Sequence, residues 1–519
     1  MKYVQRIRLQ NFKRFDSLDI NFKEGMNILI GDNESGKSTI LNAISLVLSG
    51  NRNKIETLGL ESLFNRGAVE KFLKTDRKYE DLPTMYIELY LNDFGNEELN
   101  GNANSLNMAC DGLKLECTPN DELSKEIKEI ITTTDDNFPY EYYNVGFTTF
   151  LGDGYSGYKR YLKHVLIDNS QINSEYAIRN YVQDMYENYV VGPEKHKNQN
   201  EYRKTKQKFT KESLSEINNR LNDYQFTIKH NSKSNLNTDL TISEDDIYIE
   251  NKGKGKQCFI KTEFALNKSK VYLDVVLLEE PENHLSHTRT KELISLINSS
   301  DSLQRFVSTH SNLIASRLNL KSCLLFNSNT NNVINFNDID EETANFFMKA
   351  PEAYMLEFVL SKKSILVEGN AEYILMEKFI EKVLKQEIEE TGIHIISVGG
   401  TSFKRYLEIA KHLKIKTAVI RDNDTNYQEN CVDRYSNFTN NEIQVFADKD
   451  NARSTFEICM YNDNIDLCEK LFSGGRKKLN VQEYMLKNKA EVAFQILNAG
   501  DEIDKVPKYI EEAIQWINN

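Results

Sequence analysis

Gly31-Asp-Asn-Glu-Ser-Gly36-Lys37-Ser38 is the stretch that decides the fold class. It satisfies G-x-x-x-x-G-K-[ST], and its flanks are the ones a phosphate-binding loop requires. Ahead of it, Gly25 to Ile30 closes on an apolar run that reads as a short buried strand. Behind it, Ser38 to Leu48 carries Ile40, Leu41, Ile44, Leu46, Val47 and Leu48, then stops at Ser49-Gly50, which reads as a helix with a glycine end. The spacing follows from the chemistry. Glycines let backbone N–H groups wrap closely round a phosphate, the helix N-terminus faces its negative charge, Lys37 reaches the terminal phosphates and Ser38 can ligate Mg²⁺. Asn33, Gly36 and Thr39 complete the expected contacts, and the expected ligand is ATP with Mg²⁺ or Mn²⁺.

Working outward, Val4 to Leu9 and Ser17 to Phe22 alternate apolar and polar residues, giving three early strands with the one before the loop. A phosphate loop needs an acidic partner at a strand end, and Val275-Val-Leu-Leu-Glu279-Glu280-Pro281-Glu282 supplies it. Glu279 is expected to hold Mg²⁺ and Glu280 to polarise the attacking water, two tasks that need adjacent carboxylates. The plain alternative is a pair of surface glutamates before a proline. Upstream, Asn251 to Gln257 is a glycine-rich turn with Gly253, Gly255 and Gln257; downstream, Phe306 to Ser311 is a strand ending in His310. Between the two halves, 93–240 is rich in Tyr, Asn and Lys and is expected to be mostly helical. Within it Lys195 to Lys211 is basic, with Arg203, Lys204, Lys206 and Lys208 among Tyr202 and Phe209; a solvated helix face is preferred over a phosphate contact. Asn327 to Asn337 reads as a polar loop or hairpin.

A second domain begins near Ser361. Ser364 to Val367 is a strand ending at Glu368-Gly369, with Glu372 in the first turn of the helix that follows. Ile393 to Val398 is a strand, Phe403 to Leu413 a helix, and Thr417 to Ile420 a strand capped by Arg421-Asp422-Asn423-Asp424. That alternation implies a parallel sheet with acids at the carboxyl ends of its strands. Clustered carboxylates suit a hard divalent cation, which neutralises them; a simple Asp/Asn turn is the alternative for Asp422 and Asp424.

Length and composition bound these readings. A chain of 519 residues implies two or three domains. A net charge of −13 argues against a protein that coats nucleic acid nonspecifically, yet fits metal-ligating acids. The seven cysteines form no C-x-x-C pair, so they read as reduced packing thiols. No apolar run reaches the roughly 20 residues of a membrane span and the start is not signal-like, so a cytoplasmic protein with no membrane partner is expected.

Glu368-Gly369 with Asp422-x-Asp424 resembles the paired motifs of the Toprim domain of topoisomerases, primases and OLD-family nucleases. The opening phrase Ile7-x-Leu-x-Asn11-Phe12-Lys13-x-Phe15, followed by phosphate loop, glycine-rich turn, acidic strand end and His310, resembles ABC-type ATPase heads of the RecF, SMC and OLD branch. The glycine-rich turn departs from Leu-Ser-Gly-Gly-Gln. Joined in this order, the two resemble OLD-family ATP-dependent endonucleases, in particular Gabija-type and retron-associated ones. The resemblance implies an α/β chain with an ABC-type P-loop ATPase head in two parts (1–92 and 241–345), an insert at 93–240 that supports dimerisation, a linker at 346–362 and a Toprim domain with a parallel sheet at 363–519. It implies metal ligation by Glu368, Glu372, Asp422, Asp424 and Glu457, catalysis by Glu280, Glu368 and Lys489, and nucleotide contacts from Gly253, Gly255, Gln257 and His310. An exposed lysine on an amphipathic helix is the alternative for Lys489. The implied protein is a homodimer or higher oligomer that cuts DNA in anti-phage defence, with a defence-system protein or guide nucleic acid as further partner. An RNA, particularly tRNA, nuclease and a DNA-repair ATPase of RecF/SMC type remain as alternatives. A topoisomerase gate and a primase zinc module are not evident.

Overall fold

The computed structural model describes the chain except for residues 94, 133–136, 158, 171–174, 191, 232–233, 267–272, 301–302, 327–332, 338, 351–353, 401 and 475–478. It divides into two compact units, Met1–His310 with Ser322–Asn335, and Ser311–Lys321 with Phe336–Asn519.

The first unit contains strands β1 (Val4–Phe12), β2 (Phe15–Asn21), β3 (Met26–Gly31), β4 (Met85–Leu91), β5 (Asn100–Gly101), β6 (Cys110–Pro119), β7 (Tyr143–Thr149), β8 (His164–Asp168), β9 (Ser243–Glu244), β10 (Ile247–Tyr248), β11 (Val275–Glu279), β12 (Gln304–Ser308), β13 (Cys323–Phe326) and β14 (Val333–Asn335). An antiparallel sheet runs β2-β1-β4-β6-β5, with β7 also on β6. A second sheet runs β14-β13-β3-β12-β11-β8, parallel from β13 to β8, with β14 antiparallel at its edge. The hydrophobic patterns explain the difference. Val4–Phe12 buries Val4, Ile7, Leu9 and Phe12 and turns residues between them outward, as a one-sided strand must; Val275–Glu279 is buried at every position, as parallel strands covered on both faces are. The helix Lys37–Ser49 packs against strands of both sheets and shares their core. It is apolar nearly all round because it has almost no solvent face. Gly50 ends it in the left-handed region, its N–H returning to Val47 O.

The mostly helical insert expected over 93–240 is corrected by this layout. Its first half supplies β5 to β8, and β6 lies inside the antiparallel sheet. Leu113, Leu115 and Cys117 do alternate inward, but the surrounding Asn, Asp and Lys hide that period from composition. Helix dominates only from Glu175–Tyr189 and Pro193–Glu212 onward. The latter, the basic stretch, has no buried residue. Lys204 pairs with Glu201, and Lys206 with Asp239, which makes it a solvated face. The expected hairpin at 327–337 lies largely outside the described residues, although β13 and β14 on either side pair antiparallel.

The second unit is built on β15 (Lys363–Val367), β16 (Ile393–Ser397), β17 (Lys416–Ile420) and β18 (Ile443–Phe446), all parallel in the order β16-β15-β17-β18. The chain leaves β15 for β16, then returns to the other side as β17. The strand order therefore reverses between β15 and β17, and the crevice beyond their carboxyl ends is where such a sheet places a site. The helices Asn370–Leu384, Phe456–Asp463, Lys489–Ala499 and Lys508–Asn518 close one core through Leu375, Phe379, Phe456, Val492 and Ile514. Among the described residues no helix is long and apolar enough to cross a membrane.

Gly36 has φ 100°, and a Cβ there would come within 2.3 Å of Phe15 Cζ. Gly36→Ala is therefore expected to lower stability by about 1–3 kcal/mol and to weaken ATP binding, measured by thermal melting and by nucleotide titration on the same preparation.

Candidate functional site

In the first unit the phosphate loop leaves β3 at the carboxyl edge of the parallel sheet. A Cβ at Gly31 would lie 2.4 Å from Phe326 O, so the loop begins in close contact with β13. Lys37 is buried and its Nζ donates to Gly31 O and Asp32 O, both at 2.8 Å, with Ser35 Oγ at 3.4 Å. Burial pulls its pKa down to about 8, against the opposing attraction of Glu280 and Asp32. Asn33 and Ser38 are exposed and Thr39 is half-buried.

The neighbouring strand ends supply the acids. Burial raises Glu279 to about 7, a hydrogen bond from Ser38 opposes the rise, and Asp168 and Glu280 add to it. Glu280 has φ 44° and donates its N–H to Ser308 O at 3.0 Å. Its carboxylate accepts from Asn283 Nδ2 at 2.7 Å and lies 3.5 Å from His310 Nε2. Glu282 accepts from Thr309 Oγ1 and from the His310 N–H at 3.2 Å, which fixes the histidine next to Glu280. Burial, then the nearby Lys37, lower the His310 pKa and favour its neutral form. Lys37, Ser38, Glu279, Glu280 and His310 thus belong to one edge. This edge can hold a phosphate chain by loop and lysine, a cation by Ser38 and Glu279, and a water by Glu280.

Gly253, Gly255 and Gln257 are placed differently. Gln257 turns back on its own turn, its Nε2 donating to Lys252 O at 2.7 Å and Glu250 O at 3.3 Å. A Cβ on Gly255 would meet His284 O at 2.5 Å, so that glycine serves a backbone approach, while nothing crowds Gly253. Two further residues escaped the sequence reading. Asp168 ends β8 in register with Glu279, and Lys13, at φ 48°, is close enough to Glu279 for its ammonium to be attracted by it. Asp168 was hidden because its strand fell inside the expected helical insert; a short apolar run ending in an acid was the available signal.

In the second unit, Glu368 and Asp422 stand just past β15 and β17, and Glu372 is one turn into the helix Asn370–Leu384. Glu457 opens the helix Phe456–Asp463 and Lys489 opens Lys489–Ala499. Glu372, Asp422 and Glu457 are 6%, 8% and 2% exposed. Burial, then Glu457, push Glu372 up to about 7; burial, then Glu372 and Glu457, push Asp422 up to about 8. Lys489 Nζ meets Glu457 Oε2 at 3.0 Å, and the surrounding acids hold its pKa up against burial. Asp422 Oδ1 accepts the Phe456 N–H at 2.7 Å, tying the β17 end to the helix that carries Glu457.

Asp424 stands apart from the buried acids. It is exposed, at φ 48°, and its Oδ2 accepts from Arg421 Nη2 at 2.8 Å. Arg421 is itself buried, with Nε on Asp422 O at 2.8 Å and Nη1 on Tyr435 OH at 3.1 Å. It shapes the loop that presents Asp422, a positioning role that sequence reasoning missed because an arginine before Asp-x-Asp reads as surface charge. Asn423 does similar work from the other side, donating to Asp448 O at 2.8 Å and Asp450 O at 3.0 Å.

Among the described residues no three His, Cys, Asp or Glu side chains are drawn together tightly enough to cage a metal ion. The chemistry of the donor set nonetheless fits one. Glu368 Oε2 is buried without a hydrogen-bond partner, Glu372 and Asp422 repel each other, and hard carboxylate oxygens are what Mg²⁺ or Mn²⁺ takes.

The comparisons with known proteins follow the same division. Residues 6–237 match the family described as AAA domain, and residues 359–424 match Overcoming lysogenization defect protein-like, TOPRIM domain. The chain is 37% identical over 83 residues to the DNA repair protein RecN of Synechocystis sp., covering 16% of this chain and 14% of that protein. It is 31% identical over 135 residues to the DNA double-strand break repair Rad50 ATPase of Thermoplasma acidophilum, covering 26% and 14%. Each of these matches therefore spans a small fraction of the relative's length. Among solved structures, the C-terminal region of the Burkholderia pseudomallei OLD protein aligns with TM-score 0.26 and 18% identity, over 30% of this chain and 96% of that one. The recombination mediator RecF with ATP aligns with TM-score 0.36 and 14% identity, over 63% and 98%.

A carboxyl whose folded pKa lies above its unfolded value binds protons more tightly when folded, so it lowers stability as pH rises from the unfolded value through the folded one. For Asp422 that window runs from its ordinary value of 3.8 to about 8. In EDTA, Asp422→Asn, which keeps an oxygen for the Phe456 N–H, is expected to melt higher than the parent at pH 8.5, with the difference shrinking toward pH 5. Melting curves of both proteins across that range check it.

Proposed function

Proceeding from a chain that carries an AAA-type ATPase domain and an OLD-like TOPRIM domain, we propose that this protein is an ATP-regulated, divalent-metal-dependent DNA endonuclease. The observation that carries the reading is the set of buried acids at the β15 and β17 ends, with Lys489 as the cation beside them. Glu368, Glu372, Asp422 and Glu457 would hold the metal, and Asp424, paired with Arg421, would serve as an outer ligand. Bound there, the metal supplies an activated water and charge stabilisation for the leaving oxygen. The chain's own residues do the rest. Arg421 and Asn423 hold the Asp422 loop, Glu457 fixes the Lys489 ammonium, and that ammonium offsets charge gathering on the cleaved phosphate.

The nucleotide edge gives the regulation. Lys37 and the loop bind the phosphates, Ser38 and Glu279 hold Mg²⁺, Glu280 orients water, and Gly253, Gly255, Gln257 and His310 respond to nucleotide in a homodimer of heads. By the resemblance to Gabija-type nucleases, the DNA is that of an invading phage.

Supercoiled plasmid with Mg²⁺ or Mn²⁺, with and without ATP, tests the assignment. Conversion to nicked or linear DNA is expected, falling on the order of a hundredfold or more in Glu372→Gln. Lys37→Ala should erase the difference between the lanes with and without ATP. Undiminished cutting by folded Glu372→Gln would remove the acids from the mechanism, and cutting of RNA alone in a parallel lane would reassign the substrate.

A further inference from the structure

Lys261 lies in the helix Lys254–Leu266 of the first unit and is 2% exposed, yet its ammonium has no hydrogen bond or ion pair among the described residues. Its fixed neighbour is Tyr181. The Tyr181 hydroxyl donates to Lys261 O at 2.7 Å, and Lys261 Nζ stands 5.7 Å from the Tyr181 ring centroid. The tyrosine thus holds both the backbone and the head of the lysine. Burying a cation without an anionic partner is costly, and burial accordingly lowers the Lys261 pKa.

The same two residues line a cavity of about 230 Å³. Leu46, Leu58 and Leu166 form apolar walls, while Asp168 and the Lys54–Asp184 ion pair, at 3.6 Å, are part of the polar lining. The Asp168 charge attracts the Lys261 ammonium, but its Oδ1 is taken by the Ser170 N–H and hydroxyl, at 2.8 and 2.6 Å, and no ion pair joins it to the lysine among the described residues. The cavity walls include the helix that begins at the phosphate loop and the strand next to β11. It shares Asp168 with the acidic edge, while Lys261 and Tyr181 belong to neither site described above.

We propose that this cavity binds a compact organic carboxylate, its apolar body between Leu46, Leu58 and Leu166 and its anionic group on the Lys261 ammonium. The carboxylate gives the buried ammonium the ion pair it lacks among the described residues, and the three leucines favour a ligand with an apolar body. The proposal rests on the first unit alone and is independent of the nuclease reading.

Calorimetric titration of the full chain with benzoate and 3-phenylpropionate, beside the uncharged analogue benzamide, tests it. At least one carboxylate is expected to bind about tenfold or more tightly than benzamide, with that preference lost in Lys261→Met. Leu58→Trp, at the exposed rim, should block binding while leaving the lysine in place, and it decides the matter if Lys261→Met does not fold. Equal binding of benzoate and benzamide, undiminished binding in the folded variants, or no heat from either carboxylate up to about 10 mM would overturn the proposal.

Discussion

Burying a carboxylate without enough positive charge around it raises the free energy of the folded state, and this chain does so at two sheet edges. Glu279 is driven to about 7 although Lys13 is near; Glu372 and Asp422 are driven to about 7 and about 8 although Lys489 is near. In each case the acids outnumber the lysines. Such an arrangement persists because the surrounding fold fixes it: parallel strands end abreast, so residues just beyond them are brought together whatever their charge. The large apolar cores behind both edges carry the stabilisation that the edges lose.

The edges differ in how the charge is held. In the first unit, Glu282 and Asn283 hold the turn after β11 by bonding His310, Thr309 and Glu280, so the acids form part of a closed network across adjacent strand ends. In the second, the bracing comes from behind the loop. Arg421, wholly buried, grips the carbonyl of Asp422 and the carboxylate of Asp424, leaving the Asp422 carboxylate facing Glu372 and Glu457. An arginine is suited to this because its planar fork can satisfy three acceptors at once.

How much of this was legible in the sequence follows from range. The phosphate loop was readable because strand, glycines, lysine and helix are contiguous, and the helix found at Lys37–Ser49 begins where the motif demands. The βαβ rhythm after Ser361 was readable for the same reason, and β15, β16 and β17 correspond to it. β6 and β8 were not, because a strand inside a sheet is defined by partners far away in sequence: Leu113 pairs with Leu89 and Thr149, and Asp168 with Glu279. The candidate site residues divide the same way. Glu368, Glu372 and Asp422 stand in local motifs, whereas Arg421 was visible only once Tyr435 and Asp424 closed round it. Gln257 shows what a local motif leaves open: its amide donates to the Glu250 and Lys252 carbonyls, which the spacing did not announce.

Lys37 is the group through which a nucleotide would act on the first edge. With a pKa of about 8 its ammonium is mostly charged at neutral pH, and two carbonyl oxygens at 2.8 Å hold it within the loop. A triphosphate reaching the loop offers it full negative charge in place of carbonyl dipoles, so the exchange favours binding and raises the lysine's pKa. A cation held by Ser38 and Glu279 would act in the opposite direction on the acid, pulling Glu279 down from about 7. Nucleotide and metal would therefore relieve two separate electrostatic penalties at one edge, and each would make the other's binding more favourable because phosphate and cation attract one another.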